Sequence, residues 1–368
     1  MHRLSCIFVR SQRIYFTPVS TLSLRSPTTR SQFAASRMMS SSSSASPPAL
    51  RVNLILDFDG TLTASDTLSL VAGIGYHKHR LDTPSLPAWS DIVSAYLSDL
   101  SAHISSYRQL PASRITFDSE RAWLNSLLPI ERGSARRAID AGIWNGLSVE
   151  DVSQAAREAL PAGSVQLREG WTSLLSLVGG QRRARGKVSV LSVNWSRWWI
   201  MSVLRAGVQS HVDGDEKAGV EAALDEIDFY ANELPSVVSE VEAMYSMKNF
   251  TQGKAVEMRT SGDKVELLRQ MWVSHAELVV YVGDSSTDLE CLMEADVGIC
   301  IRDAKMGSAQ RELAETLGRI GEKVKHIADE TGNQEEYGYQ EKRLFWARDF
   351  GEIEAFLRRK LLCGEKNS

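Results

Sequence analysis

The sequence predicts an α/β fold: a doubly wound, mostly parallel sheet with a block of helices inserted after its first strand. Three observations predict it. Short apolar runs recur at 51–57, 187–193, 226–230, 278–282 and 297–301. Stretches with helical spacing separate the later runs. The segment 67–168 contains no run of β-branched residues at all. Continuous apolar strands alternating with helices belong to parallel sheets covered on both faces.

The elements follow in chain order. The first fifty residues carry six arginines, many serines and no Asp or Glu. Such N-termini look like organelle transit peptides, so a disordered leader with a mitochondrial address is expected. The plainer alternative is a leader with no address. Met38 or Met39 could also serve as an internal start and give a cytoplasmic form. Residues 40–48 are a low-complexity linker. Residues 51–57 form the first strand. In 67–168, Leu97, Leu100 and Ile104 share a helical face, as do Trp123, Leu124, Leu127 and Leu128. Ser148 to Asp151 resembles a capping box ahead of a helix over 152–160. This helical insert reads as a cap, and 51–66 with 169–368 as a Rossmann-like core. The core continues with a strand at 187–193, a helix at 196–204, a short strand at 226–230 and a loop-rich stretch to about 262. Then come a helix at 264–272, a strand at 278–282, helices at 287–294 and 304–317 flanking the strand at 297–301, a polar stretch at 322–341 and a closing helix at 350–361.

Bulk properties exclude several classes. Length 368 suggests about two domains. Hydrophobic content of 43% and charged content of 24% are those of an ordinary globular protein. No apolar stretch approaches the ~20 residues of a membrane span. The net charge of -4 becomes -10 once the six leader arginines are set aside, so no basic patch invites nucleic acid. The cysteines Cys6, Cys291, Cys300 and Cys363 lie far apart without CxxC pairing, which favours reduced thiols. Nothing in the pattern specifies an oligomeric state.

The chemistry gathers at strand ends. Asp57-Phe58-Asp59-Gly60-Thr61 follows directly on Val52 to Leu56. Ligands of open α/β sheets collect at such carboxyl ends. Two acids two residues apart point the same way along an extended chain and repel unless a cation or shared proton compensates. Ser192 follows Val190-Leu191. Lys264 sits at a helix start in Ser261-Gly262-Asp263-Lys264-Val265. Asp284 and Asp288 sit in Gly283-Asp284-Ser285-Ser286-Thr287-Asp288, after Tyr281-Val282. Each is weak alone, since serines end strands and GDSS suits a turn and an N-cap.

Together, in this order, the four segments resemble the motifs of the haloacid dehalogenase superfamily: DxDGT, a strand-end Ser or Thr, a Lys, and GDxxxD. The helical insert after the first motif is similar to the phosphoserine phosphatase-like branch. Ser192-Val193-Asn194-Trp195-Ser196 is similar to the second motif in the phosphatase portion of plant thiamine monophosphate phosphatases, and Tyr230-Ala231-Asn232-Glu233 also fits this branch. The resemblance implies a Mg²⁺-dependent phosphatase acting on a small phosphorylated metabolite. Asp57 would be the nucleophile, forming an aspartyl-phosphate. Asp59 would be the general acid and base, with its backbone carbonyl on the metal. Asp57 and Asp284 would supply carboxylates to Mg²⁺, and Asp288 would act through a metal water or position Lys264. Thr61, Ser192, Val193, Asn194 and Lys264 would serve the phosphate, with Lys264 offsetting its charge. Dehalogenase members lack an acid at the position of Asp59, which favours hydrolysis of a phosphomonoester. A phosphomutase, or a catalytically silent binding or regulatory relative, are the alternatives.

Two residues are candidates for specificity. Asp66 stands nine residues after Asp57, where phosphoserine phosphatases carry a Glu; the plainer role is a helix N-cap. Trp195 could stack on a heteroaromatic ring, whereas Trp198 and Trp199 are expected to pack in the core. His77-Lys78-His79 has no acid partners at metal spacing and reads as a solvated loop.

Overall fold

A computed structural model describes residues 51–79, 86–179, 186–212, 214–247, 255–271, 277–330 and 343–363. The leader with Met38 and Met39, the linker 40–48, and most of the polar stretch 322–341 lie outside the described residues.

Strand β1 (Arg51–Leu56) sits in the middle of the sheet. Its alternate side chains feed two cores: Leu54 and Leu56 pack on one face, and Ile55 on the other with Val279 and Tyr281. After the tight turn Phe58–Leu62 come α1 (Leu68–His79), α2 (Trp89–Ser106), α3 (Phe117–Ser126), α4 (Leu128–Asp140) and α5 (Val149–Ala159). The chain then runs through α6 (Trp171–Gly179), β2 (Gly186–Leu191), α7 (Arg197–His211), α8 (Asp215–Asp225) and β3 (Asp228–Tyr230). Next are α9 (Val238–Met247), α10 (Ser261–Met271), β4 (Glu277–Gly283), α11 (Leu289–Glu294) and β5 (Val297–Ile301). The last elements are α12 (Ser308–Arg319), β6 (Lys325–His326), β7 (Arg343–Ala347) and α13 (Phe350–Cys363).

The strands form one sheet in the order β3-β2-β1-β4-β5-β7-β6, with every pairing parallel. The protein is therefore α/β, doubly wound and Rossmann-like. The order turns back between β1 and β4. This is the switch point where such sheets open a crevice beyond their carboxyl ends.

The helices α1 to α5 are tied to one another and to the sheet layer. Trp144 Nε1 donates to Val71 O at 3.0 Å. Trp198 Nε1, on α7, donates to Val149 O at 3.0 Å and Ser153 Oγ at 2.9 Å. Helix α5 begins with the capping box expected at Ser148: its hydroxyl accepts from Asp151 N, and Asp151 Oδ2 accepts from Ser148 N. Trp198 and Trp199 are both buried.

Five elements depart from the sequence expectation. Helix α9 occupies what reads as a loop-rich stretch, and α6 and α8 have no sequence counterpart. Val238–Met247 mixes Ser and Glu among its apolar residues and shows no clear stripe, so its helicity comes from packing: Val241 is fully buried. Strands β6 and β7 are also additions. The two residues of β6 pair with β7, and β7 owes its place to pairing with β5, with Phe345 in the core. Its sequence, Arg343 to Ala347, has no β-branched residue. Among the described residues, no helix is long and apolar enough to cross a membrane.

Candidate active site

The site is built where β1 and β4 end side by side. Asp57 N donates to Val282 O at 2.9 Å, which extends the β1–β4 ladder one residue and fixes the Asp57 backbone. The chain then turns sharply at Gly60, with φ +78°, a backbone region glycine enters without a steric penalty. A Cβ on Gly60 would lie 2.4 Å from Asp284 Oδ2, and one on Gly283 would lie 2.4 Å from Asp288 Cγ. Glycine at both positions lets carboxylates approach the backbone. Arg168 braces the turn from outside, donating to Gly60 O at 2.9 Å and Thr61 O at 3.1 Å while pairing with Asp303.

Lys264, from the first turn of α10, is fully buried between two acids. Its Nζ lies 2.8 Å from Asp57 Oδ1 and 2.7 Å from Asp288 Oδ1. Asp288 is saturated. Oδ1 also accepts from Tyr281 OH at 2.8 Å, and Oδ2 accepts from Asp284 N, Ser285 N and Ser285 Oγ at 3.0–3.1 Å. Asp284 Oδ1 accepts from Thr61 Oγ1 at 3.2 Å. Among the described residues, no donor reaches Asp57 Oδ2 or Asp284 Oδ2.

The electrostatics follow from burial. Asp57 is pushed up to about 7, first by desolvation and then by the Asp288 charge, with Lys264 pulling it back. Asp284 is raised well above the carboxylate range by desolvation, then by Asp288 and Asp57. Burial alone would lower Lys264, but Asp288 and Asp57 raise it instead. The rise at Asp57 and the rise at Lys264 point opposite ways for their shared ion pair. The two short contacts at Nζ decide it: the ammonium stays charged and favours the ionised form of Asp57. The remaining excess of negative charge lies toward Asp284.

Asp59 sits in a separate hydrogen-bond net. Oδ2 accepts from Asn194 Nδ2 at 2.7 Å, and Oδ1 from Thr67 N at 2.8 Å and Thr67 Oγ1 at 2.7 Å. Thr67 Oγ1 in turn accepts from Trp199 Nε1 at 3.0 Å and Asn194 Nδ2 at 3.1 Å. Desolvation, then the charge of Asp66, raises Asp59 to about 7, and the donors of Asn194 and Thr67 oppose the rise. Asp66 keeps contact with water and rises less, to about 6, chiefly by desolvation. Its Oδ1 accepts from Leu68 N at 2.8 Å, as an N-cap does.

The structure thus brings Asp57, Thr61, Lys264, Asp284 and Asp288 into one contact network and ties Asp59 to Asn194. Ser192 is buried beside them, its Oγ accepting from Asn194 N at 3.2 Å. Asn194, expected at the phosphate, spends its side-chain amide on Asp59 and Thr67. Sequence reasoning missed Tyr281, Thr67 and Arg168. Tyr281 was visible as a polar-tipped residue two positions before Gly283, but Thr67 and Arg168 carry no motif and meet the site only through the fold.

A cavity of about 400 Å³ opens over these groups. Asp57, Asp59 and Asp284 line it, as do Asp66, Val193 and Trp195. His77 to His79, expected as a loop, instead form the last turn of α1, where Lys78 pairs with Asp151, and they line no part of the cavity.

The donor set suits a hard divalent cation. Asp57, Asp284 and Asp288 can each offer one oxygen with all three within 4.8 Å of one another. The saturated Asp288 has no lone pair to spare for a direct bond, while Asp57 Oδ2 and Asp284 Oδ2 are open. Two carboxylates with room for water match the preference of Mg²⁺.

Fold and site together define an α/β protein with a carboxylate–lysine cluster at the switch point of its sheet. No family model matches the sequence. The chain is similar to the Bifunctional TH2 protein, mitochondrial, of Arabidopsis thaliana, at 24% identity over 260 residues. That match covers 67% of this chain and 38% of the relative, so the chain spans under half the length of that protein. A CTO1 family protein of Schizosaccharomyces pombe is 26% identical over 259 residues, covering 67% of this chain and 81% of that one. Among solved structures, a phosphoserine phosphatase in the form of a phospho-aspartyl intermediate analogue covers 83% of this chain and 99% of its own, with TM-score 0.40 and 15% identity.

Proposed function

We propose that the protein is a Mg²⁺-dependent phosphatase of the haloacid dehalogenase type, which hydrolyses a small-metabolite phosphomonoester through an aspartyl-phosphate on Asp57. The observation that carries this reading is the position of Lys264, whose Nζ joins Asp57 to Asp288 in a fully buried contact. A lysine confined among carboxylates and lying against the candidate nucleophile supplies fixed positive charge where a phosphoryl group would gain negative charge.

The chain's own residues account for each step. Asp57 attacks phosphorus with a carboxylate oxygen, its side chain held in place by Lys264. Asp59 rises to about 7, so near neutral pH it can hold a proton for the leaving alkoxide and then take one from the attacking water. Asn194 and Thr67 hold its carboxyl in place between the two steps. Ser192, Val193 and Thr61 stand near the transferred group, and residues 67–168 close over it as a cap on the core formed by 51–66 and 169–368. Mg²⁺, held by Asp57, Asp284 and the Asp59 carbonyl with Asp288 acting through water, would neutralise phosphoryl charge and hold the group in line.

Purified protein tested on a panel of metabolite phosphates, thiamine monophosphate among them, checks the reading. Turnover should require Mg²⁺, stop with EDTA and vanish in Asp57→Asn. Equal turnover by wild type and Asp57→Asn on every phosphoester would leave a binding or regulatory protein instead.

A further inference from the structure

The loop before α10 places in the cavity a charge that has no hydrogen-bond partner among the described residues. Arg259 precedes Lys264 by five residues and lines the same cavity as Asp57. Its backbone is fixed from both sides. Arg259 N donates to Asp263 Oδ2 at 2.9 Å. Met258, just before it, exchanges two hydrogen bonds with the Asn232 side chain at 2.9 and 3.0 Å. The Asn232 amide also donates to Val193 O and Asn194 O, so one side chain pins the Arg259 segment to the loop that carries Trp195.

The guanidinium itself is not tied. Nε and Nη1 are closed off from solvent with no hydrogen-bond acceptor among the described residues. Acids surround it, namely Glu257, Glu131 and Asp263. Each is engaged elsewhere: Glu131 accepts from Tyr96 OH at 2.9 Å, Glu257 from Arg132 Nε at 3.0 Å, and Asp263 from backbone N–H groups. An enclosed cationic donor without an acceptor is costly. A rigid backbone carrying an unpaired charged head is how a preorganised binding site is built.

Trp195 stands beside it. Both residues line the main cavity and a smaller recess next to it. Trp195 is held edge-on by Trp144 at 5.0 Å and Trp89 at 5.6 Å, ring centre to ring centre, so its position is fixed as well.

Resting on the phosphatase reading, we propose that Arg259, with Trp195 as the neighbouring wall, binds a second anionic group, a carboxylate or a second phosphate, at the non-reacting end of the substrate. The remaining guanidinium nitrogen, Nη2, is not enclosed and would donate to either group with the full charge of the guanidinium behind it.

Matched substrates test this. The pairs are 3-phosphoglycerate against glycerol 3-phosphate, and fructose 1,6-bisphosphate against fructose 6-phosphate, with thiamine monophosphate alongside. In wild type, kcat/KM should favour the anion-bearing member of at least one pair, and which pair does so tells carboxylate from phosphate. Arg259→Met should collapse that preference by roughly tenfold or more, and Arg259→Lys should restore part of it. A wild-type ratio near one in both pairs, a ratio that survives Arg259→Met, or thiamine monophosphate outrunning both anionic substrates overturns the proposal. A water filling the recess would produce the first of these. Should wild type turn over none of these five substrates, the phosphatase reading is judged by the wider panel and turnover no longer reads the subsite. Calorimetry then judges the subsite: 3-phosphoglycerate binding that Arg259→Met weakens roughly tenfold supports it, and equal or absent binding overturns it.

Discussion

Lys264 Nζ lies 2.8 Å from Asp57 Oδ1, although the two residues are 207 positions apart in the chain. The contact exists because β1 and β4 end side by side and α10 starts beneath them. It links the first carboxylate of the chain to the helix that follows the loop-rich stretch, and it sets the charge balance of the whole cluster.

Replacing Lys264 by Met should be severe in two ways. Activity should fall by roughly 10²–10³-fold, the scale for losing one fixed charge aimed at a transition state. Removing one partner of a buried ion pair should also cost about 3–5 kcal/mol in stability at neutral pH. Denaturant melts of the variant at pH 5 and pH 8 check the second part. The deficit should shrink at pH 5, where the stranded carboxylates can bind protons.

The metal-free protein should lose stability as pH rises. Asp59 stands at about 7 when folded against 3.8 for an ordinary Asp, and Asp284 is raised as well. The folded state therefore binds more protons than the unfolded state. Their contribution is complete below about pH 4 and is lost as pH climbs through 7. In EDTA, wild type should melt lower at pH 8 than at pH 6, by a wider margin than Asp284→Asn. Added Mg²⁺ should close the gap, since a cation favours the ionised forms. A melting temperature that rises over this interval in EDTA, in step with Asp284→Asn, would count against the charge assignment.

Asn194→Ala should leave the fold standing and disturb Asp59. The carboxyl loses the amide donor at 2.7 Å, one of the groups opposing its rise. The apparent pKa of kcat should move upward, and kcat should fall by roughly 10²-fold, the scale of general acid–base contributions. A pH–rate profile separates this from simple loss of fold, which would lower the whole curve without moving it.

The leader makes a cellular prediction. A fluorescent fusion of the full chain should enter mitochondria, while one lacking residues 1–37 should remain in the cytoplasm. Import of the shortened fusion would remove the address from the leader.

Much of this was legible in the sequence because strand ends announce themselves. Asp57, Asp284 and Asp288 follow apolar runs that can only be buried strands, and Lys264 opens a helix. What stayed hidden depends on contacts across the fold. Asn194 looks like a phosphate ligand until Thr67 and Asp59 are seen to claim its amide. Arg168 has no motif and braces the Gly60 turn from a distant segment. Strand β7 earns its hydrogen bonds from β5 rather than from its own composition. Arg259 carries no motif, and only the enclosure of its head shows that it lacks a hydrogen-bond partner among the described residues.

Trapping the covalent intermediate tests the central claim most directly. The full chain would be mixed with Mg²⁺ and a turned-over phosphomonoester, quenched in acid within milliseconds, reduced with borohydride and mapped by peptide mass spectrometry. Reduction of an acyl phosphate converts that aspartate to homoserine, and the account predicts this change at position 57 alone, absent without substrate. Turnover that proceeds with Asp57 unmodified, or with the change at another carboxylate, would contradict it.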